Sequence, residues 1–198
     1  GNKLDYDTWA QLGNTGWSYD DVLPFFKKIE NYQGEITEVR STEGPLKISE
    51  VVDRNPIYEG LFKGADEIGI PINKDYNGHE QEGISYTQTT IFKGERMSAE
   101  VAYLRPIRSR KNLKIITNSL VTKLIFDGKT CKGVKVKNKN KITDFFAQNE
   151  VILCGGAINS PQILELSGIG NRSLLEEKGI SLVHELKGVG ENLRDHLG

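Results

Sequence analysis

Apolar positions recur at helical spacing in one clear stretch, where Ile57, Leu61, Ala65 and Ile68 would line a single face. Asn55 and Pro56 occupy cap and first-turn positions and Gly69 the closing one, so a helix with a buried face is predicted there. A second helix is expected to start at Ser18, with Asp20 and Asp21 in the turn where the helix dipole favours acid. Pro24 should break or restart it, and Phe25 to Glu30 should continue it. Before that lies an aromatic, turn-rich stretch around Gly13-Asn14-Thr15-Gly16. Gly44 to Ser49 and Ile84 to Ile91 alternate like half-exposed strands, with turn chemistry at Asp75-Tyr76-Asn77-Gly78 between them. Ser98 to Leu104 predicts a short helix stopped by Pro106.

From Leu113 the pattern changes to short strands: 113–117, 121–126, 133–137 and 144–147, with Asp127-Gly128-Lys129 as the clearest turn. Val151 to Cys154 is wholly apolar and predicts a strand buried on both faces. After Gly155-Gly156-Ala157, a helix should begin at Ser160-Pro161 and end at Ser167-Gly168. A further helix, 173–178, should close at Gly179, and Ile180 to His184 should return as a strand. A β-meander followed by strand, turn and helix makes the fold class mixed α/β.

Composition narrows the function. The chain has 198 residues, long enough for a substantial core, and 26 Lys and Arg against 27 Asp and Glu leave a net charge of -1. That balance gives no electrostatic case for nucleic acid. The lysines at 132, 135, 137, 139 and 141 alternate with Val134 and Val136 and fit the wet face of a hairpin. Two cysteines, Cys131 and Cys154, exclude a disulfide framework, and with three histidines beside them no metal site is expected. No run reaches the roughly 18 apolar residues of a membrane span. Cys154, inside an apolar run, is expected to be an inert core thiol. His79 fits a surface loop, His184 an outward strand position, and His196 a hydrogen-bonded loop rather than a catalytic base.

The stretch from Gly155 to Gly170 carries the most chemistry. A strand that ends in small residues and enters a helix brings backbone N–H groups to the strand's carboxyl end, a geometry suited to a phosphate or cofactor edge. Purely structural strand–glycine–helix turns are also common, and no G-x-G-x-x-G fingerprint is present in the chain. Ser160 before Pro161 has the place of a helix cap, not of a nucleophile.

The run Gly156-Ala157-Ile158-Asn159-Ser160-Pro161 through Ser167-Gly168-Ile169-Gly170 resembles the second signature of the glucose–methanol–choline (GMC) flavin oxidoreductases. Colinear with it are Asp5-Tyr6-Asp7, Gly16-Trp17-Ser18-Tyr19, Val22-Leu23-Pro24-Phe25-Phe26, Gly44-Pro45-Leu46, Gln81-Glu82-Gly83, Ala102 to Pro106 and Gly188 to Leu193. Within that family the chain is most similar to choline dehydrogenase-like alcohol dehydrogenases.

The resemblance implies FAD and a partial FAD-binding domain interleaved with part of an antiparallel-sheet substrate domain. Residues 1–43 would be an FAD-domain extension with linking helices, 44–106 mostly substrate domain, and 107–198 FAD domain. It implies oxidation of a small-molecule alcohol to an aldehyde or ketone by hydride transfer to the flavin; it leaves the electron acceptor unassigned and cytoplasmic residence is expected. Hydroxynitrile lyase and non-catalytic members of the same fold are the competing readings. Carried over residue by residue, Val121 matches the position whose main chain meets the adenine, and Gly155, Gly156 and Ala157 match the turn near the dinucleotide. Asn192, Asp195 and His196 match a loop motif on the flavin side. The family's nucleotide fingerprint would lie before Gly1 and its catalytic histidine after Gly198. No catalytic residue is therefore assigned, and the chain is expected to be an internal fragment, inactive alone.

Overall fold

The aromatic opening stretch turns around Gly13 to Gly16 as expected, but residues 3–11 before it are helical. In the computed structural model, which describes residues 2–195, Asn2 caps α1 (Lys3–Gln11) by accepting from the Leu4 N–H at 2.8 Å. Ser18 begins α2 (Tyr19–Ile29) with a capping box: its hydroxyl accepts from the Asp21 N–H while the Asp21 carboxylate accepts from the Ser18 N–H. Pro24 does not break this helix. The proline forfeits one backbone bond, but the box fixes one end and the edge-on contact of Phe26 with Tyr6 of α1, centroids 5.7 Å apart, holds the other.

The chain then forms β1 (Glu30–Tyr32), which pairs in parallel with β2 (Leu46–Glu50). Asn55 and Pro56 open α3 (Ile57–Glu67), the Asn55 side chain accepting from the Ile57 N–H, and Gly69 follows its end at positive φ. The expected buried face is not buried: Ile57, Leu61 and Ile68 are 65%, 55% and 74% exposed, and only Ala65 is covered. The helix packs instead through Phe62 and Tyr58, which meet the Tyr86 ring at 4.7 and 6.1 Å. That diversion of Tyr86 also shortens the strand expected over 84–91. Ile84 makes a lone bridge to Ile72, and regular pairing begins at β3 (Gln88–Thr89), antiparallel to β2.

A small hairpin of β4 (Ile91–Phe92) and β5 (Glu95–Arg96) follows. The short helix expected up to Leu104 is a π-helical turn over Glu100–Leu104 that tightens into a 3-10 turn over Arg105–Ile107, so Pro106 is absorbed rather than stopping the chain. These elements make up one unit, ending at Leu113.

The second unit begins at Lys114. Residues 113–117 are not a strand, because no neighbour pairs with them. The meander itself is as expected: β6 (Leu120–Asp127), β7 (Thr130–Asn138) and β8 (Lys141–Phe146) form an antiparallel sheet with β7 central, turning at Gly128. Gly133 on β7 admits no side chain, since a Cβ there would stand 2.1 Å from the Phe145 carbonyl oxygen. On the hairpin's wet face Lys135 pairs with Asp144 at 2.7 Å.

Val151 to Cys154 pairs with no strand, and Ile152 is 75% exposed, so the doubly buried strand is not formed within this unit. Cys154 is accordingly exposed, not a core thiol. The next helix, α4 (Gly156–Leu166), starts earlier than the Ser160-Pro161 signal. Ser160 lies inside it, and its hydroxyl accepts from the Gly155 N–H at 3.0 Å, closing the turn from behind instead of capping at the front. The helix ends as expected at Ser167 and Gly168. β9 (Ile169–Gly170), α5 (Arg172–Glu177) and β10 (His184–Glu185) complete the unit, β10 pairing in parallel with β9. The strand expected from Ile180 is thus only its last part. Its core gathers Leu124, Val136, Ile163, Leu175 and the buried hydroxyl of Ser167.

Candidate functional site

β6 is an edge strand, and its unpaired side is turned toward α4. The Leu124 N–H donates to Ser167 Oγ at 2.8 Å, and that hydroxyl donates to the Ile163 carbonyl at 2.5 Å. One buried side chain thereby ties the strand to the last turn of the helix. Towards the start of both elements they separate, and a groove of about 520 Å³ opens between Leu120–Thr122, the unpaired segment 152–155 and α4.

Two of the four residues expected at a cofactor, Val121 and Gly155, line this groove together although far apart in the chain. Gly156 and Ala157 form the first turn of α4 beside it and are exposed. The backbone is tight at Gly155, where a Cβ would come within 3.2 Å of Asn159 Cβ and of Ser160 Oγ. Gly156 holds φ at +83°, which favours glycine, and has open space where a side chain would point. The helix begins with no side-chain cap, leaving its first N–H groups for an external acceptor. Apolar walls come from Ile152, Leu153 and Leu166. These residues fit one end of a dinucleotide: a flat ring against apolar walls and a strand edge, with a helix start for negative charge. Cys154 also lines the groove.

Other sequence candidates stand apart from this groove. His79 is exposed and pairs with Glu38 at 2.6 Å, and His184 is exposed on β10. Asn192 adopts the left-handed conformation at φ 56°. His196 lies outside the described residues. Among the described residues no cluster of three metal-ligating side chains occurs, and no helix is long and apolar enough to cross a membrane.

A buried ionic cluster in the first unit went unread. Arg40, 4% exposed, donates through Nε to Glu30 at 3.0 Å and through Nη1 to Asp75 at 2.6 Å and Gln88 at 3.0 Å. Its guanidinium lies 3.7 Å from the centroid of the Tyr32 ring. Gln88 Nε2 donates to both Asp75 and the Tyr32 hydroxyl. Burial pushes the Tyr32 hydroxyl above its ordinary pKa, and the Asp75 charge adds to this while Arg40 opposes it. The only sequence trace of the cluster was the Asp75 turn. The first unit also has a groove of about 610 Å³ lined by Tyr6, Trp9, Trp17, Phe25, Phe26 and Ile29, which offers packing surface rather than reactive groups.

The whole chain, residues 1–198, matches the model of a protein family described as GMC oxidoreductase. It is 41% identical over 197 residues to human mitochondrial choline dehydrogenase, covering 100% of this chain and 33% of that protein. An oxygen-dependent choline dehydrogenase of Brucella anthropi is likewise 41% identical, covering 100% of this chain and 36% of the relative. Among solved structures, an FAD-dependent oxidoreductase from Chaetomium thermophilum superposes with a TM-score of 0.92 at 34% identity, over 98% of this chain and 36% of that one. The chain therefore spans about a third of the length of the curated relatives it matches.

Proposed function

The chain belongs to the GMC oxidoreductase family, and from that premise we propose that it supplies the nucleobase side of the FAD site in an enzyme oxidising an alcohol to an aldehyde or ketone. The observation that carries this is the meeting of Val121 and Gly155 on one groove. The β6 main chain at Val121 would meet the edge of the base. Gly155 and Gly156, without side chains, let a ligand reach the backbone, and with Ala157 they start the helix whose free N–H groups would face a phosphate oxygen. Ile152, Leu153 and Leu166 would give the base apolar surface to pack on. FAD, when bound, supplies the acceptor for a hydride from the carbinol carbon.

The substrate is a small alcohol of the choline class, a reading supported by the two choline dehydrogenases among the relatives. Residues 1–43 and 107–198 would serve the FAD domain and residues 44–106 mainly the substrate domain. We place the protein in the cytoplasm, on the strength of its free cysteines. The test is made on the full-length protein: it should carry FAD, and the flavin absorbance near 450 nm should bleach on anaerobic addition of choline or a related alcohol. Bound FAD that no alcohol bleaches would exclude alcohol oxidation and favour the lyase or non-catalytic readings.

A further inference from the structure

α4 presents Asn159, Gln162, Ile163 and Leu166 to the groove, a stripe at i, i+3, i+4 and i+7. Ile163 goes down into the core and Leu166 forms wall. Asn159 and Gln162 are exposed, and neither carboxamide has a hydrogen-bond partner among the described residues. The remaining lining is apolar or glycine, apart from the Cys154 thiol and Thr122, whose hydroxyl is committed to the Lys135 carbonyl at 3.2 Å. No lining residue carries a formal charge. The groove's walls are thus chemically suited to an uncharged flat ring, the phosphate being left to the first turn of α4 beside it. The hydrogen bonds available to that ring come from two carboxamides facing the free edge of β6.

A carboxamide offers a coplanar acceptor and donor. On the edge that carries N6 and N7 adenine presents the complementary pair, an amino donor beside a ring acceptor, whereas a purine with oxygen at that position presents two acceptors there; Asn and Gln read adenine for that reason. We propose that Asn159 and Gln162 are the specificity-determining side chains of the base site, selecting adenine over a purine that carries an oxygen at the same position. This rests on the assignment of the groove to FAD. It goes further by giving two side chains a role in telling one dinucleotide from another.

The experiment uses the full-length apoprotein, titrated with FAD and with flavin hypoxanthine dinucleotide, in which the adenine amino group is replaced by oxygen. Binding is read from the change in flavin fluorescence. The unaltered protein should favour FAD by roughly tenfold or more. The double variant Asn159→Ala/Gln162→Ala should weaken FAD and bring the two ligands within about twofold of each other. A second variant, Asn159→Asp/Gln162→Glu, keeps the shape and the acceptors but removes the donors. It should widen the preference for FAD, because carboxylate oxygens repel the hypoxanthine oxygen. Undiminished discrimination in the alanine variant, or a preference in the acid variant no greater than that of the unaltered protein, would overturn the proposal while leaving the FAD assignment intact. Failure of the unaltered protein to bind either dinucleotide would instead remove the FAD assignment itself.

Discussion

Arg40 is the residue on which the first unit's polar interior depends. Its single guanidinium meets Glu30, Asp75 and Gln88 and covers the Tyr32 ring. The Asp75 carboxylate accepts all of its hydrogen bonds through Oδ1, from Arg40, Gln88 and Asn77, while Oδ2 is buried without a partner. Replacing Arg40 with Met would leave two partly buried carboxylates facing each other, and should cost about 3 kcal/mol in urea unfolding. Arg40→Lys should recover only part of this, because an ammonium cannot fork to two acids. Tyr32 adds a pH signature. Its folded pKa lies above the unfolded one, so its contribution is full below the ordinary value of 10.0 and is lost as pH rises through the folded value. Stability measured from pH 10 upward should fall, and Tyr32→Phe should flatten that fall. Of this only the turn at Asp75 was legible in the sequence. The hydrogen-bonding partners lie 10 to 48 residues from Arg40, with no periodicity to join them.

At the scale of elements, legibility followed the range of the forces involved. The Ser18 cap, the Gly69 and Gly168 helix ends and the Gly128 turn depend on neighbouring residues and emerged where expected. Ser18→Ala should remove the capping box and cost about 1 kcal/mol, measurable as a lowered urea midpoint with an unchanged slope. Prolines were overweighted. Pro24 and Pro161 each stand at the sixth residue of their helix, and both helices continue through them. Strands were overestimated wherever a partner was lacking, as at 113–117 and 151–154, since apolarity invites pairing but cannot supply a neighbour. The groove was half legible. Val121, Gly155, Gly156 and Ala157 came from the family likeness, whereas Asn159 and Gln162 acquire meaning only from their place on α4 opposite β6.

Across the whole molecule, ten apolar side chains are buried among the described residues, against thirty large apolar ones left exposed. Periodicity alone would have assigned several of the latter, Ile57 and Leu61 among them, to a core. The chain spans about a third of its relatives' length, and these apolar faces find no cover among the described residues. The join between the units offers a direct test. Residues 113–117 lack regular structure and Lys111 and Lys114 are exposed. Brief trypsin treatment of this chain should cut first there, giving two fragments identifiable by mass, and early cleavage within β6–β8 would contradict the division.

Ser167 has a meaning beyond joining strand to helix. An unpaired strand border is an invitation to foreign chains, which add to it as further strands and seed fibrils. By occupying the Leu124 N–H, the Ser167 hydroxyl closes one rung of that ladder, and α4 stands across the approach. The same residue that ends a helix therefore also occupies a donor with which a foreign strand would pair. Its loss would be felt in shelf life and solubility as much as in folding.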